Sequence, residues 1–116
     1  MTTAIATPWI LTATGRRFPL DAPRPEDVDL LDLAHALGNL CRFGGHTRLH
    51  YSVAQHSLLV SELAGRPFRL AGLLHDAGEA YVGDIVGPLA RRLPEFRAVE
   101  HRILDAVATR FGVPRW

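Results

Sequence analysis

Ser52-Val53-Ala54-Gln55-His56-Ser57 and Leu74-His75-Asp76-Ala77-Gly78-Glu79 are the stretches whose reading decides this fold. Between them stands Gly65-Arg66-Pro67, a turn signal. The pattern predicts one helix over about 52–64 and another over about 67–81, antiparallel across a short loop. His56 precedes the turn by roughly 9 to 10 residues and His75 follows it by as many, so at ~1.5 Å per residue both imidazoles stand ~14 Å from the turn. Asp76 adjoins His75, and Glu79 lies at i+4 from His75 and i+3 from Asp76, on their face of the helix. Two imidazoles and a carboxylate converging between facing helices make a mixed nitrogen and oxygen metal site.

Outward from this pair the sequence reads mainly as helix. Trp9 to Phe18 predicts a small β-hairpin, with Trp9-Ile10-Leu11-Thr12 as a strand and Arg17-Phe18 returning after Gly15. Pro19, Pro23 and Pro25 mark an extended connection, and a helix is expected from Pro25 or Glu26, with Glu26 and Asp27 in its first turn. Leu30, Leu33, Ala34, Leu37, Leu40 and Cys41 form its apolar stripe, which ends before Gly44-Gly45. A break at Ile85-Val86-Gly87-Pro88 precedes a last helix from Pro94, whose stripe is Phe96, Val99, Ile103, Ala106 and Val107, and Gly112 and Pro114 stop it. The expectation is one domain over 1–116, with hairpin and extended lead-in over 1–24 and helices over 25–116, all-α apart from the hairpin.

With 116 residues and 47% hydrophobic composition, the chain buries one modest core. A net charge of +1 gives no footprint for a nucleic-acid partner. All thirteen basic residues are Arg, which excludes lysine chemistry. The single cysteine, Cys41, excludes an intrachain disulfide and a zinc finger, and its place on the apolar stripe reads as a small core residue. No apolar run approaches the ~18 residues of a membrane span, and no secretory leader pattern opens the sequence. A cytoplasmic protein is expected, with no membrane partner.

Imidazole nitrogen and carboxylate oxygen in this proportion suit manganese, cobalt, iron, nickel or zinc better than calcium or magnesium. Three protein ligands, His56, His75 and Asp76, leave open positions, as catalytic metal sites do. Read singly, Glu79 is a solvated helix charge and Asp84 a turn residue; facing the ligands, both become candidates for moving protons. Arg42 and Arg48 flank Gly44-Gly45, where guanidinium and bare backbone can meet a phosphate, although a cation at a helix C-terminus needs no ligand. Phe43 offers a ring on which a base can stack. His46 and His50 are a weaker pair, with loop hydrogen bonding as the simpler reading, and His35 and His101 have no partner in the sequence.

The order His56, His75-Asp76, Glu79, Asp84 resembles the HD-domain phosphohydrolases. The fuller strings Arg42-Phe43-Gly44-Gly45-His46-Thr47, Tyr51-Ser52-Val53-Ala54-Gln55-His56-Ser57, His75-Asp76-Ala77-Gly78-Glu79-Ala80-Tyr81 and Gly83-Asp84 look like its small single-domain branch. That branch includes bacterial 5′-deoxynucleotidases and phage dATP triphosphohydrolases. The resemblance implies an all-α HD-domain helical bundle that uses a divalent transition metal to hydrolyse (deoxy)nucleotides. It implies His56, His75 and Asp76 as metal ligands, Glu79 and Asp84 as catalytic or substrate-orienting acids, Arg42 as a phosphate contact, and a homo-oligomer. Family members complete the metal with a further Asp on a downstream helix. Asp105 does not match that position, so the expectation is a C-terminally truncated HD bundle lacking its last helices: a fragment, a truncated gene product, or a protein whose fourth ligand is water or a neighbouring subunit's side chain. A catalytically incomplete remnant that binds metal or nucleotide, or serves as a subunit, is the alternative.

Overall fold

The computed structural model describes residues 7–116, so the first six residues of the expected lead-in lie outside it. The chain opens with an antiparallel hairpin, β1 (Trp9–Leu11) and β2 (Arg17–Pro19), paired Trp9 to Pro19, Ile10 to Phe18 and Leu11 to Arg17. Helices follow: α1 (Leu30–Asn39), α2 (Val53–Ala64), α3 (Arg69–Leu74), α4 (Glu79–Val82), α5 (Gly87–Ala90) and α6 (Pro94–Phe111). The expected all-α class is therefore corrected. The fold is mixed, mainly helical with a two-stranded antiparallel sheet that contributes directly to the core.

That contribution comes from Phe18, fully buried on β2, which stacks on Tyr81 of α4 with ring centroids 3.6 Å apart and planes 8° from parallel. Val28, Leu33, Leu37, Val53, Leu74, Ala77, Ile103, Ala106 and Val107 complete the core around this pair. A buried carboxylate also ties the hairpin to α1. Asp32, 2% exposed, accepts hydrogen bonds from the Thr14 backbone N–H at 2.8 Å and from the Thr14 hydroxyl at 3.0 Å. Burying a charge requires such partners, and here they lock the hairpin turn onto the helix.

Three expected elements are corrected. The helix expected from Pro25 is a 3₁₀ turn, Pro25–Asp27, followed by extended residues, and α1 starts only at Leu30. Asp29 explains the restart: its carboxylate accepts from Leu31 N at 2.8 Å and Asp32 N at 3.4 Å, making it the N-cap. Cys41 lies beyond the end of α1 and is only partly buried; it pairs with Ser52 in an isolated β-bridge, and its Sγ sits 3.3 Å from the Thr47 hydroxyl. The helix expected over 67–81 divides into α3 and α4. Between them the bonding tightens to three-residue steps, Ala77 N to Leu74 O at 3.0 Å and Glu79 N to Asp76 O at 3.0 Å.

α2 lies where the sequence predicts a helix, and its start is set by a capping box in which Ser52 Oγ accepts from Gln55 N and Gln55 Oε1 accepts from Ser52 N. Its contact with α3 is the most extensive between any two elements. Gly72 allows the close approach: a Cβ there would stand 3.3 Å from the Val60 carbonyl oxygen and 3.4 Å from Ser61 Cα. Leu63 of α2 is 78% exposed, and Leu58, Leu59, Phe68 and Leu70 are exposed beside it on the same helical hairpin.

Candidate metal centre

α2 carries His56 and the tightened turn after α3 carries His75 and Asp76. Close packing at Gly72 brings the two imidazoles to 5.3 Å between ring centroids, tilted by 59°. His75 Nε2 lies 3.0 Å from Asp76 Oδ2, and His56 Nε2 lies 3.7 Å from the same oxygen. One donor atom from each of the three residues falls within 4.8 Å of the others, the only such group of donors among the described residues. An ion bound at about 2.1 Å by each donor separates them by roughly 3.0 to 3.4 Å, so small side-chain rotations close this set around a cation.

A hydrogen bond behind the donors orients one of them. His75 Nδ1–H donates to the Gly72 carbonyl at 2.7 Å, which turns Nε2 toward Asp76 and His56. Gly72 therefore fixes both the helix spacing and the ring orientation. Electrostatics follow this geometry. The hydrogen bond to Asp76 raises the His75 pKa above its ordinary value against the opposing effect of burial. Burial, followed by the charge of Arg42, lowers that of His56. Burial pushes the Asp76 carboxyl up, but the hydrogen bond and charge of His75, with His56 and Arg42, hold it below the usual range. Two neutral imidazoles with one carboxylate fit a borderline transition ion.

A cavity of about 430 Å³ opens beside this centre, lined by Arg42, Phe43, Asp76, Glu79, Asp84 and the segment Ile85-Val86-Gly87-Pro88. It gathers five of the sequence-predicted residues in one space of small-ligand size. Gly83, at φ 82° and ψ 173°, ends α4 in a conformation that L side chains rarely adopt, and the chain doubles back to bring Asp84 to the cavity. Burial pushes the Glu79 carboxyl up to about 9, helped by Asp84, Asp76 and Glu100, and its Oε2 is buried without a hydrogen-bond partner. Glu79 is therefore a proton-holding carboxyl near neutral pH, opposite in state to Asp76 three residues earlier.

Arg42 reaches the cavity with its guanidinium carbon 4.5 Å from the centre of the Phe43 ring and 5.6 Å from that of Tyr51. Phe43 holds a left-handed backbone at φ 58°, a conformation costing a non-glycine residue on the order of 1–2 kcal/mol and concentrated at functional sites. One face of Phe43 thus already meets Arg42, and 55% of the residue remains exposed. Arg48 does not line the cavity. His50 lies 3.3 Å from the Gly38 carbonyl, a loop hydrogen bond, and His35 pairs with Asn39 at 3.1 Å. Asp105 pairs with Arg115 at 3.5 Å and lines a different cavity.

Two contributions escaped the sequence reading. The apolar wall of Ile85, Val86 and Pro88 faces the carboxylates across the cavity. Glu100 of α6 is partly buried behind the His75-Asp76 turn, and burial raises its pKa. A carboxylate at i−3 from buried Ile103, on the helix's inner face, was the available signal.

No protein-family model matches the chain. Among curated proteins it is similar to the uncharacterized protein YfdR of Escherichia coli, 41% identical over 106 residues covering 91% of this chain and 60% of that relative. It is also similar to an uncharacterized protein of Rhodobacter capsulatus, 40% identical over 116 aligned residues covering 91% of this chain and 59% of that relative. No helix among the described residues is long and apolar enough to cross a membrane. The chain spans about 60% of the length of the curated relatives it matches.

Proposed function

We propose that this chain is a metal-dependent phosphohydrolase acting on nucleotides, most readily 2′-deoxynucleoside phosphates, as its resemblance to HD-domain phosphohydrolases suggests. The observation that carries the reading is the convergence of His56, His75 and Asp76 at the edge of a cavity that also holds Arg42, Glu79 and Asp84. His56, His75 and Asp76 hold a divalent transition ion of the manganese, iron, cobalt, nickel or zinc group. When bound, such an ion polarises a phosphoryl oxygen and makes water acidic enough to attack phosphorus near neutral pH.

The remaining work falls to the chain's own side chains. Arg42 binds the phosphate with its planar fork, steadied between the Phe43 and Tyr51 rings. Glu79, protonated at neutral pH, donates a proton to the departing oxygen, and Asp84 accepts one from the attacking water or orients a sugar hydroxyl. Phe43, Ile85, Val86 and Pro88 form the apolar side of the cavity, suited to a base. The exposed stripe of Leu58, Leu59, Leu63, Phe68 and Leu70 supports assembly into an oligomer.

The test is to load the folded chain with manganese or cobalt, offer a panel of deoxynucleoside mono- and triphosphates, and follow release of phosphate, pyrophosphate or triphosphate. Turnover abolished by His75→Ala supports the reading; no turnover of any nucleotide by a folded, metal-loaded chain overturns it. A second reading, a domain that binds metal or nucleotide without hydrolysis, is favoured by the place of Asp105, which lines a different cavity and so does not supply the further Asp that the resembled family brings from a downstream helix. Substoichiometric metal, with nucleotide binding unaffected by His75→Ala, is its signature.

A further inference from the structure

A second, smaller cavity of about 70 Å³ shares Asp76 and Glu79 with the larger one and is completed by His75, Gly78, Glu100 and Leu104. We propose that Glu100 is a positioning residue of the metal centre, its carboxylate acting through water in this cavity to hold the donor turn and strengthen binding of the divalent ion. The inference rests on the metal-binding reading above and extends it to a helix, α6, that contributes none of the three donors.

Four observations carry it. Glu100 and Leu104, one turn apart on α6, straddle the donor turn: a Cβ at Gly78 would lie 3.5 Å from Leu104 Cγ and 3.7 Å from Glu100 Cγ. The stem of Glu100 is thereby pressed against the backbone two residues beyond Asp76, and its side chain lines the small cavity. Glu100 also joins none of the ion pairs formed among the described residues, although Arg97 and His101 neighbour it on α6. A partly buried carboxylate without a protein partner is costly unless another group offsets it.

The third observation is size and polarity: the cavity accommodates about two waters at ~30 Å³ each, with carboxylates and an imidazole to bind them. Fourth, Glu79 Oε2, buried without a hydrogen-bond partner, belongs to a residue lining the same cavity. Asp76 and Glu100 face one another around so small a volume, and a divalent cation beside Asp76 offsets their repulsion. Glu100 thus raises the gain on ion binding while holding the turn that carries His75 and Asp76.

The experiment is a calorimetric titration of the whole chain with Mn²⁺ and Co²⁺, joined to the visible spectrum of the cobalt form. Glu100→Gln and Glu100→Ala are compared with the parent and with Glu95→Gln, an exposed carboxylate on the same helix. Both Glu100 variants are expected to weaken the ion by about 10- to 100-fold and to shift the cobalt spectrum, as loss of groups behind metal ligands does. Glu95→Gln is expected to leave both unchanged, and the metal-free melting temperature of Glu100→Gln to match or exceed the parent's. Affinity within about threefold of the parent, with an unaltered cobalt spectrum, overturns the role of Glu100 and leaves the metal centre standing. A parent chain that binds neither ion overturns both.

Discussion

Replacing Phe18 with alanine probes the joint that holds the helix carrying Glu79. Phe18 is 0% exposed, and its ring covers that of Tyr81 at 3.6 Å, so truncation removes a complete buried ring and uncovers a second one. Phe to Ala in a core costs about 3–5 kcal/mol, and the stacked partner places this site in the upper half of that range, near 4 kcal/mol. For 116 residues, at about 2.1 cal/mol/K of unfolding entropy each, the total is about 240 cal/mol/K, which converts 4 kcal/mol to a fall of about 16 °C in Tm. Circular dichroism at 222 nm during heating measures it, and urea titration gives the free energy independently. Phe18→Leu, which keeps most of the volume, is expected to cost about a third as much. A loss below about 1 kcal/mol for Phe18→Ala refutes the claim that the hairpin is a structural member of the core.

Three further outcomes are expected. Gly72→Ala forces a methyl against the Val60 carbonyl and the Ser61 backbone, costing about 1–3 kcal/mol and weakening metal binding together with stability, as paired melting and ion titrations would show. Asp32→Ala removes the acceptor of two Thr14 hydrogen bonds and is expected to cost about 3 kcal/mol, whereas Thr14→Ala, which leaves the backbone bond, should cost less than half of that in the same melting assay. The metal-free chain is expected to lose stability as pH rises from the ordinary carboxyl value of 4.5 through about 9. Across that window folded Glu79 keeps a proton that the unfolded chain releases. Solvent screening of this partly exposed group reduces the effect to on the order of 1 kcal/mol. Burial gives Glu100 a shift of the same sign, and Glu79→Gln should flatten the profile; an unchanged slope in that variant would refute the assignment.

What the sequence made legible was local. His56, His75 and Asp76 were placed by counting along a helical hairpin, and the count survived because one short turn and one capping box set the geometry. The division of the second helix was hidden, since His75 and Gly78 keep right-handed helical backbone and the bonding step shortens from four to three. That change preserves the facing relation of Asp76 and Glu79, because residues three apart eclipse in the tighter helix. Asp32 inside the stripe of α1 and Glu100 inside that of α6 were obscured for a different reason: the hydrogen bonds of Asp32 come from a distant hairpin turn, and the small cavity that Glu100 lines is shared with a distant donor turn. The sheet's share in the core was equally nonlocal, since Phe18 meets Tyr81 only in the folded chain.

The pairing of α2 with α3 across a single short turn also bears on how the centre is made. Its three donors lie 20 residues apart at most and belong to elements that meet through local contacts, the kind that form in the earliest and fastest stages of folding. Arg42 and Glu100 arrive from outside that hairpin, so cavity and donors mature in sequence. An ion captured by the hairpin while α6 is still undocked would stabilise that partial structure and draw the remainder of the chain onto it. On the proposed reading, ion binding would then be a step in assembly as well as a feature of the finished fold.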